Sequence, residues 1–237
     1  MLKQMLKLFK KEKKVVKDYS LTSGERQIAD KLENIREDHL SRYRLVQDYI
    51  KEYNFKGPVN CMDIFCGNGY GTYMLSKNNP EINITGIDGS KEAIDLASQA
   101  YKLKNNNFFH KLFPFKLEKE IYDLIICFES LEHVEQDKKM FQAMIDSAKK
   151  DALIFVSVPN DNCHSLEKNP HIFHYRHYKH DEFLKNYQND LELIDWYGQN
   201  VYEFENGICK FELLSDENMQ PVKKVEGQVN IYLFKKI

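Results

Sequence analysis

A chain of 237 residues with 42% hydrophobic and 30% charged residues can bury a full core and has room for one domain with an accessory helical segment. Its 34 basic and 36 acidic residues leave a net charge of -2, which excludes a global attraction to nucleic acid or to an anionic membrane. The longest apolar runs, such as 152–158, fall far short of the roughly 20 residues of a bilayer span, and five cysteines without a C-x-x-C pair read as reduced packing residues of a cytoplasmic protein.

The first 18 residues carry seven lysines against Glu12 and Asp18, with Leu2, Met5, Leu6 and Phe9 at helical spacing. Residues 1–22 read as a basic, solvated tail, with weak contact to a membrane surface as the alternative. Lysines interrupt Met1 to Phe9 and no small-residue cleavage site follows, so no signal peptide is expected. From Arg26 to Tyr53 the chain has few helix breakers and apolar residues at Ile28, Leu32, Ile35, Leu40, Leu45, Val46 and Ile50, which predicts one or two helices leading to Gly57-Pro58. Beyond them, strands are predicted near 60–65, 83–88, 106–110, 122–128 and 151–158, with helices near 70–77, 91–104 and 137–149. Strands at 191–196 and 229–234 complete the set. The alternation predicts a doubly wound, mostly parallel α/β sheet within residues 23–237, with helices on both faces.

The chemistry concentrates where the first strand runs into glycines. Asn60-Cys61-Met62-Asp63-Ile64-Phe65-Cys66-Gly67-Asn68-Gly69-Tyr70-Gly71 reads as a buried strand, a loop and a helix start. Glycines there let backbone pass close to a ligand and let the helix pack on the strand. The spacing G-x-G-x-G lacks the third glycine of a pyrophosphate loop, and Asp63 would repel a pyrophosphate while suiting an ammonium group. Asp88 closes the second predicted strand, where a carboxylate can accept both hydroxyls of a ribose. An adenosine ligand follows from the pair.

This pattern resembles the class I methyltransferases that use S-adenosylmethionine, whose loop reads hydrophobic-Asp-x-Gly-Cys-Gly-x-Gly; this chain has Phe65 where the family usually has glycine. The resemblance implies a Rossmann-like fold of seven strands with an antiparallel last strand and an N-terminal helical cover at about 24–55. It implies S-adenosylmethionine as cofactor, held by Asp63, Phe65, Cys66, Gly67, Gly69, Asp88, Gly89 and Ser90. Ser23-Gly24-Glu25-Arg26 and His39-Leu40-Ser41-Arg42-Tyr43 resemble the lead-in of bacterial surface-polysaccharide methyltransferases, which implies Arg26 or Arg42 on the ligand carboxylate and Tyr43 closing over it.

In an open parallel sheet the ligand lies beyond the carboxyl ends of the strands, so Phe128 and Glu129, closing the fourth strand, should face it. Glu129-Ser130-Leu131-Glu132-His133 is similar to the stretch in ubiquinone-pathway O-methyltransferases. His133, with an ordinary pKa near 6.5, is the candidate general base; a structural imidazole tying the loop to the sheet is the alternative. Five of the eight histidines lie between 164 and 180, in a loop (about 159–180) whose Asn169-Pro170 and His174-Tyr175-Arg176-His177-Tyr178 resemble the family's acceptor segment. That implies acceptor contacts from His174, Arg176, His177 and Tyr178, with Arg176 suited to an anionic group, and the spacing predicts no metal. The expectation is methyl transfer to an oxygen of a small, sugar-linked or phosphate-containing acceptor in surface-polysaccharide biosynthesis. N-methylation, or a cofactor-binding module without transfer, remains the alternative. The amino-methylating Asn/Asp-Pro-Pro-Tyr sequence is absent after the fourth strand, so nucleic acid is not the expected partner.

Overall fold

The computed structural model describes residues 15–23, 26–53, 55, 57–188 and 190–237. The apolar stripe of the tail and the Gly24-Glu25 pair of the lead-in lie outside them. Five α-helices are described: α1 (Glu37–Glu52), α2 (Tyr70–Asn78), α3 (Lys91–Ala100), α4 (Asp137–Ser147) and α5 (His180–Tyr187). They flank a sheet built from β1 (Val59–Ile64), β2 (Ile82–Asp88), β3 (Asn106–His110), β4 (Tyr122–Phe128), β5 (Ala148–Pro159), β6 (Leu191–Gln199), β9 (Val222–Lys223) and β10 (Val229–Lys236). Its order is β3-β2-β1-β4-β5-β10-β6-β9, and β7 (Tyr202–Glu205) pairs with β8 (Ile208–Leu213) in a separate hairpin.

The strands β3, β2, β1, β4 and β5 pair in parallel. Strand β10 runs antiparallel to both neighbours, placing Tyr232 beside Val156 of β5 and Trp196 of β6. These are the seven expected strands with the last one antiparallel; the two-residue β9 adds an eighth. Central parallel strands are covered on both faces and therefore read as continuous apolar runs. Alternate residues of one strand accordingly enter two different cores. Met62, Ile125, Ile154 and Val156 pack with Met140, Phe141 and Met144 of α4 and with Phe183 and Tyr187 of α5. Cys61, Leu124, Ile126 and Phe155 pack on the other face with Val46 and Ile50 of α1 and with Met74 and Leu75 of α2.

Some boundaries depart from expectation. The 26–53 segment contributes one α-helix from Glu37, preceded by a 3-10 turn at Leu32–Asn34. Helix α3 stops at Ala100, and α4 stops at Ser147, where β5 begins with Ala148. Residues 15–22, expected as solvated tail, lie against the domain: the Val16 amide donates to the Ile172 carbonyl at 2.9 Å and the Leu21 amide to Glu92 Oε2 at 2.9 Å. Among the described residues no helix is long and apolar enough to cross a membrane.

Candidate active site

The strand order reverses between β2 and β4, on either side of β1. Loops after β1, β2, β4 and β5 therefore meet at one edge of the sheet. With residues 16–19 and the start of α1 they enclose a cavity of about 460 Å³. Gly67 lines it with a left-handed φ of 57°, and a Cβ there would meet nothing within 4 Å, so the glycine serves backbone conformation and close approach. Gly69 is different. A Cβ on it would come within 2.7 Å of Ala97 and Phe108, so this glycine lets α2 pack on α3 and β3 instead of lining the cavity.

Asp88 stands at the tip of β2 and lines the cavity. Its Oδ2 accepts the Gly67 amide at 3.0 Å and its Oδ1 the Ser90 amide at 2.7 Å, so one carboxylate ties both turns together. Arg26 Nη2 lies 3.5 Å from Oδ1, while Arg26 Nη1 is buried with no hydrogen-bond partner among the described residues. A buried donor left unmatched costs about 1–3 kcal/mol, and at this wall it suits a polar ligand atom. Gly89 lines the same wall; Ser90 lies behind it and caps α3 through a bond from the Ala93 amide to its Oγ.

Asp63 sits behind the cavity, only 1% exposed and not among the lining residues. Its Oδ2 accepts Thr72 Oγ1 at 2.7 Å, and Tyr43 Oη donates to the same carboxylate at 3.1 Å. Burial pushes its carboxyl up to about 7 against the pull of those hydrogen bonds. The Tyr43 ring lies across Gly71, where a Cβ would come within 1.9 Å of it. Tyr43 thus lines the cavity as a buried strut between α1 and α2.

Arg42 is also tied within the wall. Its Nη1 donates to Gln199 Oε1 at 2.9 Å and its Nη2 lies 3.4 Å from Asp38 Oδ2. Arg36 grips the same Asp38, with Nη2 to Oδ2 at 3.0 Å. Burial opposes ionisation of Asp38, yet the two guanidinium groups hold its carboxyl far below the usual range. Burial and Arg42 push the His39 imidazole down to about 3, so it is neutral, with Nδ1 2.9 Å from Tyr70 Oη. Arg36, Asp38, His39 and Tyr70 all line the cavity; of these the sequence marked only His39, as part of the lead-in motif, and it gave no contact to Arg36, Asp38 or Tyr70. Helical spacing alone reads them as a solvated face, because the partner groups on β6 and α2 are remote in the chain.

Phe65 adopts the left-handed φ of 60° that glycine favours, and keeps it with a full side chain. Its ring turns toward Phe115, with centroids 6.3 Å apart, and it lines the cavity together with Cys66, Leu112, Phe113 and Pro114. Phe128 lines the cavity and packs edge-on to Tyr43 at 5.2 Å. Glu129, with φ 46°, receives Ser157 Oγ on its Oε1 at 2.9 Å, and burial pushes its carboxyl up.

The 3-10 turn at Leu131–His133 follows β4 and brings Glu132 and His133 to the cavity. His133 Nδ1 lies 3.2 Å from the Phe173 carbonyl, and Nε2 lies 3.7 Å from Glu132 Oε1. The His133 and His174 rings stand edge-on at 4.6 Å, and His174 lines the cavity. Glu132, His133 and His174 each offer a ligand atom within 4.8 Å of the others, a grouping able to hold a metal ion. The threefold spacing of the loop histidines concealed it, because two of the three groups come from the turn after β4. Arg176, His177 and Tyr178 are not brought to the cavity wall. Arg176 pairs with Asp137 and donates to the carbonyls of Val134 and Glu135, and Tyr178 Oη donates to Asp137 at 2.9 Å. These bonds fasten the 159–180 loop to the start of α4.

A family model described as a methyltransferase domain matches residues 55–214. The chain belongs to the methyltransferase-domain family. It is an S-adenosylmethionine-dependent methyltransferase, and the cradle of Gly67, Asp88 and the unmatched Arg26 donor fits such a cofactor. The ubiquinone biosynthesis O-methyltransferase of Rickettsia typhi is 22% identical over 229 residues, covering 94% of this chain and 82% of that protein. Among solved structures, a putative methyltransferase of Haloferax volcanii in complex with the activator Trm112 superposes with a TM-score of 0.62 at 14% identity, covering 84% of this chain and 93% of that one. The N-methyltransferase NodS of Bradyrhizobium japonicum, complexed with S-adenosyl-L-homocysteine, gives 0.59 at 16% identity, with 84% and 87% covered. The likeness to the two solved chains is one of fold.

Proposed function

We propose that this methyltransferase moves a methyl group to an oxygen of a small acceptor, with His133 as the proton-accepting group. The observation that carries this reading is a single cavity with Asp88 and Gly67 on one wall and His133 and His174 on another. The Rickettsia relative, named for O-methylation in ubiquinone biosynthesis, supports oxygen as the target and a phenolic acceptor as the first to try. A sugar-linked acceptor rests on the lead-in around Arg42-Tyr43 alone, and Arg176, engaged by Asp137, gives an anionic group no added support.

S-adenosylmethionine supplies an electrophilic methyl on sulfur. Asp88 holds the loop carrying Gly67 in place, and Arg26 offers its spare donor to the bound cofactor. The cavity wall of Phe65, Phe113 and Phe128 excludes water from the reacting atoms. The acceptor oxygen forms its bond to the methyl carbon as the carbon–sulfur bond breaks, its electron pair staying on sulfur. The acceptor's proton passes to the imidazole, so atoms and charge balance. Positioning the two partners in line is the larger part of the rate, and proton removal adds about 10²–10⁴-fold.

One observation favours a second reading: Glu132, His133 and His174 could hold a divalent cation that ionises the acceptor hydroxyl in place of a base. The chain should be incubated with labelled S-adenosylmethionine and a panel of a catechol, a sugar nucleotide and a primary amine, with and without a chelator. Methylation of the catechol, lowered about 100-fold in His133→Ala with cofactor affinity retained, is expected. Labelling of the amine alone would overturn the oxygen assignment, and loss of activity to chelator, restored by added metal, would replace the base by the cation.

A further inference from the structure

Residues 16–19 line the cavity, and the chain around them is pinned on either side. The Val16 amide donates to the Ile172 carbonyl of the 159–180 loop at 2.9 Å, and the Leu21 amide donates to Glu92 Oε2 in the first turn of α3, also at 2.9 Å. Between the pins Asp18 Oδ1 accepts the Ser20 amide at 3.0 Å, and Lys17 Nζ lies 3.8 Å from Glu135 Oε2 in a pair exposed on both sides. None of residues 15–23 is buried. A segment with no buried side chain, fastened by hydrogen bonds at its ends and a screened ion pair between them, has little stability of its own.

What the segment brings to the cavity is apolar surface beside Asp88. Val16, Tyr19 and Leu112 all line it while 43%, 41% and 50% exposed. At Gly89, the residue after Asp88, a Cβ would come within 3.0 Å of Leu112 Cδ1 and 3.8 Å of Tyr19 Cδ1, so both side chains converge on one point of the wall. Resting on the reading of Asp88 as the ribose ligand, the purine belongs here, because it leaves the sugar from the carbon next to the one that bears the 2′-hydroxyl. A flat base gains most where it displaces water from half-exposed apolar faces, and aromatic side chains stack on it. We propose that residues 16–21 are a strap that the cofactor itself draws closed, with Tyr19 and Leu112 as the apolar side chains against which its purine packs. The strap takes its missing core from the ligand, and it acts on cofactor binding whichever atom accepts the methyl.

The test uses the full chain, with S-adenosyl-L-homocysteine and adenosine as probes. Tyr19→Ala should weaken both by about 10-fold or more by calorimetry, while Tyr19→Phe, which keeps the ring and loses only the hydroxyl, should bind as the parent does. Saturation with S-adenosyl-L-homocysteine should slow hydrogen exchange across residues 15–23. Glu92 stands exposed on α3, away from the cavity wall, and reports on the pin. Glu92→Ala should speed exchange of the strap and weaken both probes by about 3-fold or more, and Glu92→Gln, whose amide oxygen accepts the Leu21 amide, should restore both. Unchanged affinity in Tyr19→Ala overturns the proposal. So does a loss for S-adenosyl-L-homocysteine that adenosine does not share, because that puts Tyr19 on the amino-acid half, and so does exchange across 15–23 that is the same with and without ligand. Affinity unchanged in Asp88→Asn yet lowered in Tyr19→Ala would fault the ribose assignment and leave the strap standing.

Discussion

Asp63 is a carboxylate that the fold withholds from water, and its pKa of about 7 against an ordinary 3.8 makes it a reporter of folding. Between those values the folded chain holds a proton that the unfolded chain has released. Stability is therefore fully present below about pH 4, falls as the pH rises towards 7, and is level above that; the shift amounts to up to about 4 kcal/mol. Asp63→Asn should remove this loss, so that urea midpoints at pH 5 and pH 7.5 differ less in the variant than in the parent. An unchanged difference would assign the titration to another group. Asp88 carries the complementary prediction. Asp88→Asn keeps an acceptor for one amide, yet should weaken S-adenosyl-L-homocysteine binding by about 1.5–3 kcal/mol by calorimetry if the charged carboxylate holds the ribose. Both acids were legible in the sequence because each ends an apolar strand. Their different places at the cavity were not: Asp88 lines it while Asp63 lies behind it, enclosed by Thr72 and Tyr43 from separate helices. The left-handed backbone at Phe65 also lay beyond a reading of residue types, which identified the family's glycine as missing but not that its conformation persists.

At the level of elements, the contact between α1 and α2 is the most sharply specified, because the Tyr43 ring occupies the space a side chain at Gly71 would need. Gly71→Ala should cost about 1–3 kcal/mol by overpacking and detach Tyr43 from Asp63. Gly67→Ala, with open space around its Cβ, should cost only the roughly 1–2 kcal/mol of a left-handed backbone. Comparing the two urea midpoints checks the ranking, and an equal loss would discard the packing argument. Strands β4 and β5 could be read directly because burial on both faces leaves long apolar runs at 124–128 and 152–156. Strand β7, with alternating partial exposure, and β9, two exposed residues long, carry no such signal. Helix α5 was hidden by its setting: it is eight residues long, follows an aromatic loop, and buries only Phe183 and Tyr187.

Across the whole molecule the cavity proposed for the cofactor draws on elements from both ends of the described chain, from Val16 and Arg26 to Gln228 and Val229. Occupying it should therefore stabilise the fold cooperatively, by about 2.7 kcal/mol at a hundredfold excess of S-adenosyl-L-homocysteine over its Kd. A thermal scan should show Tm rising with ligand concentration; no rise at saturating ligand would contradict a shared binding cavity. The sequence located the strand ends that bound this space but gave no sign that residues 16–19 reach across it, since their apolar content is two side chains amid lysines. The place of β10 between β5 and β6 has its own consequence during synthesis on the ribosome. The first five strands, with the loops that carry Gly67 and Asp88, emerge early and have all their mutual partners. Strand β6 emerges next with none, because both of its neighbours are translated after it. Until residues 229–236 appear, the nascent chain carries an open edge along β5. An unpaired edge of that kind invites pairing with other chains, so the interval between translation of β5 and β10 is when this protein has most need of a chaperone.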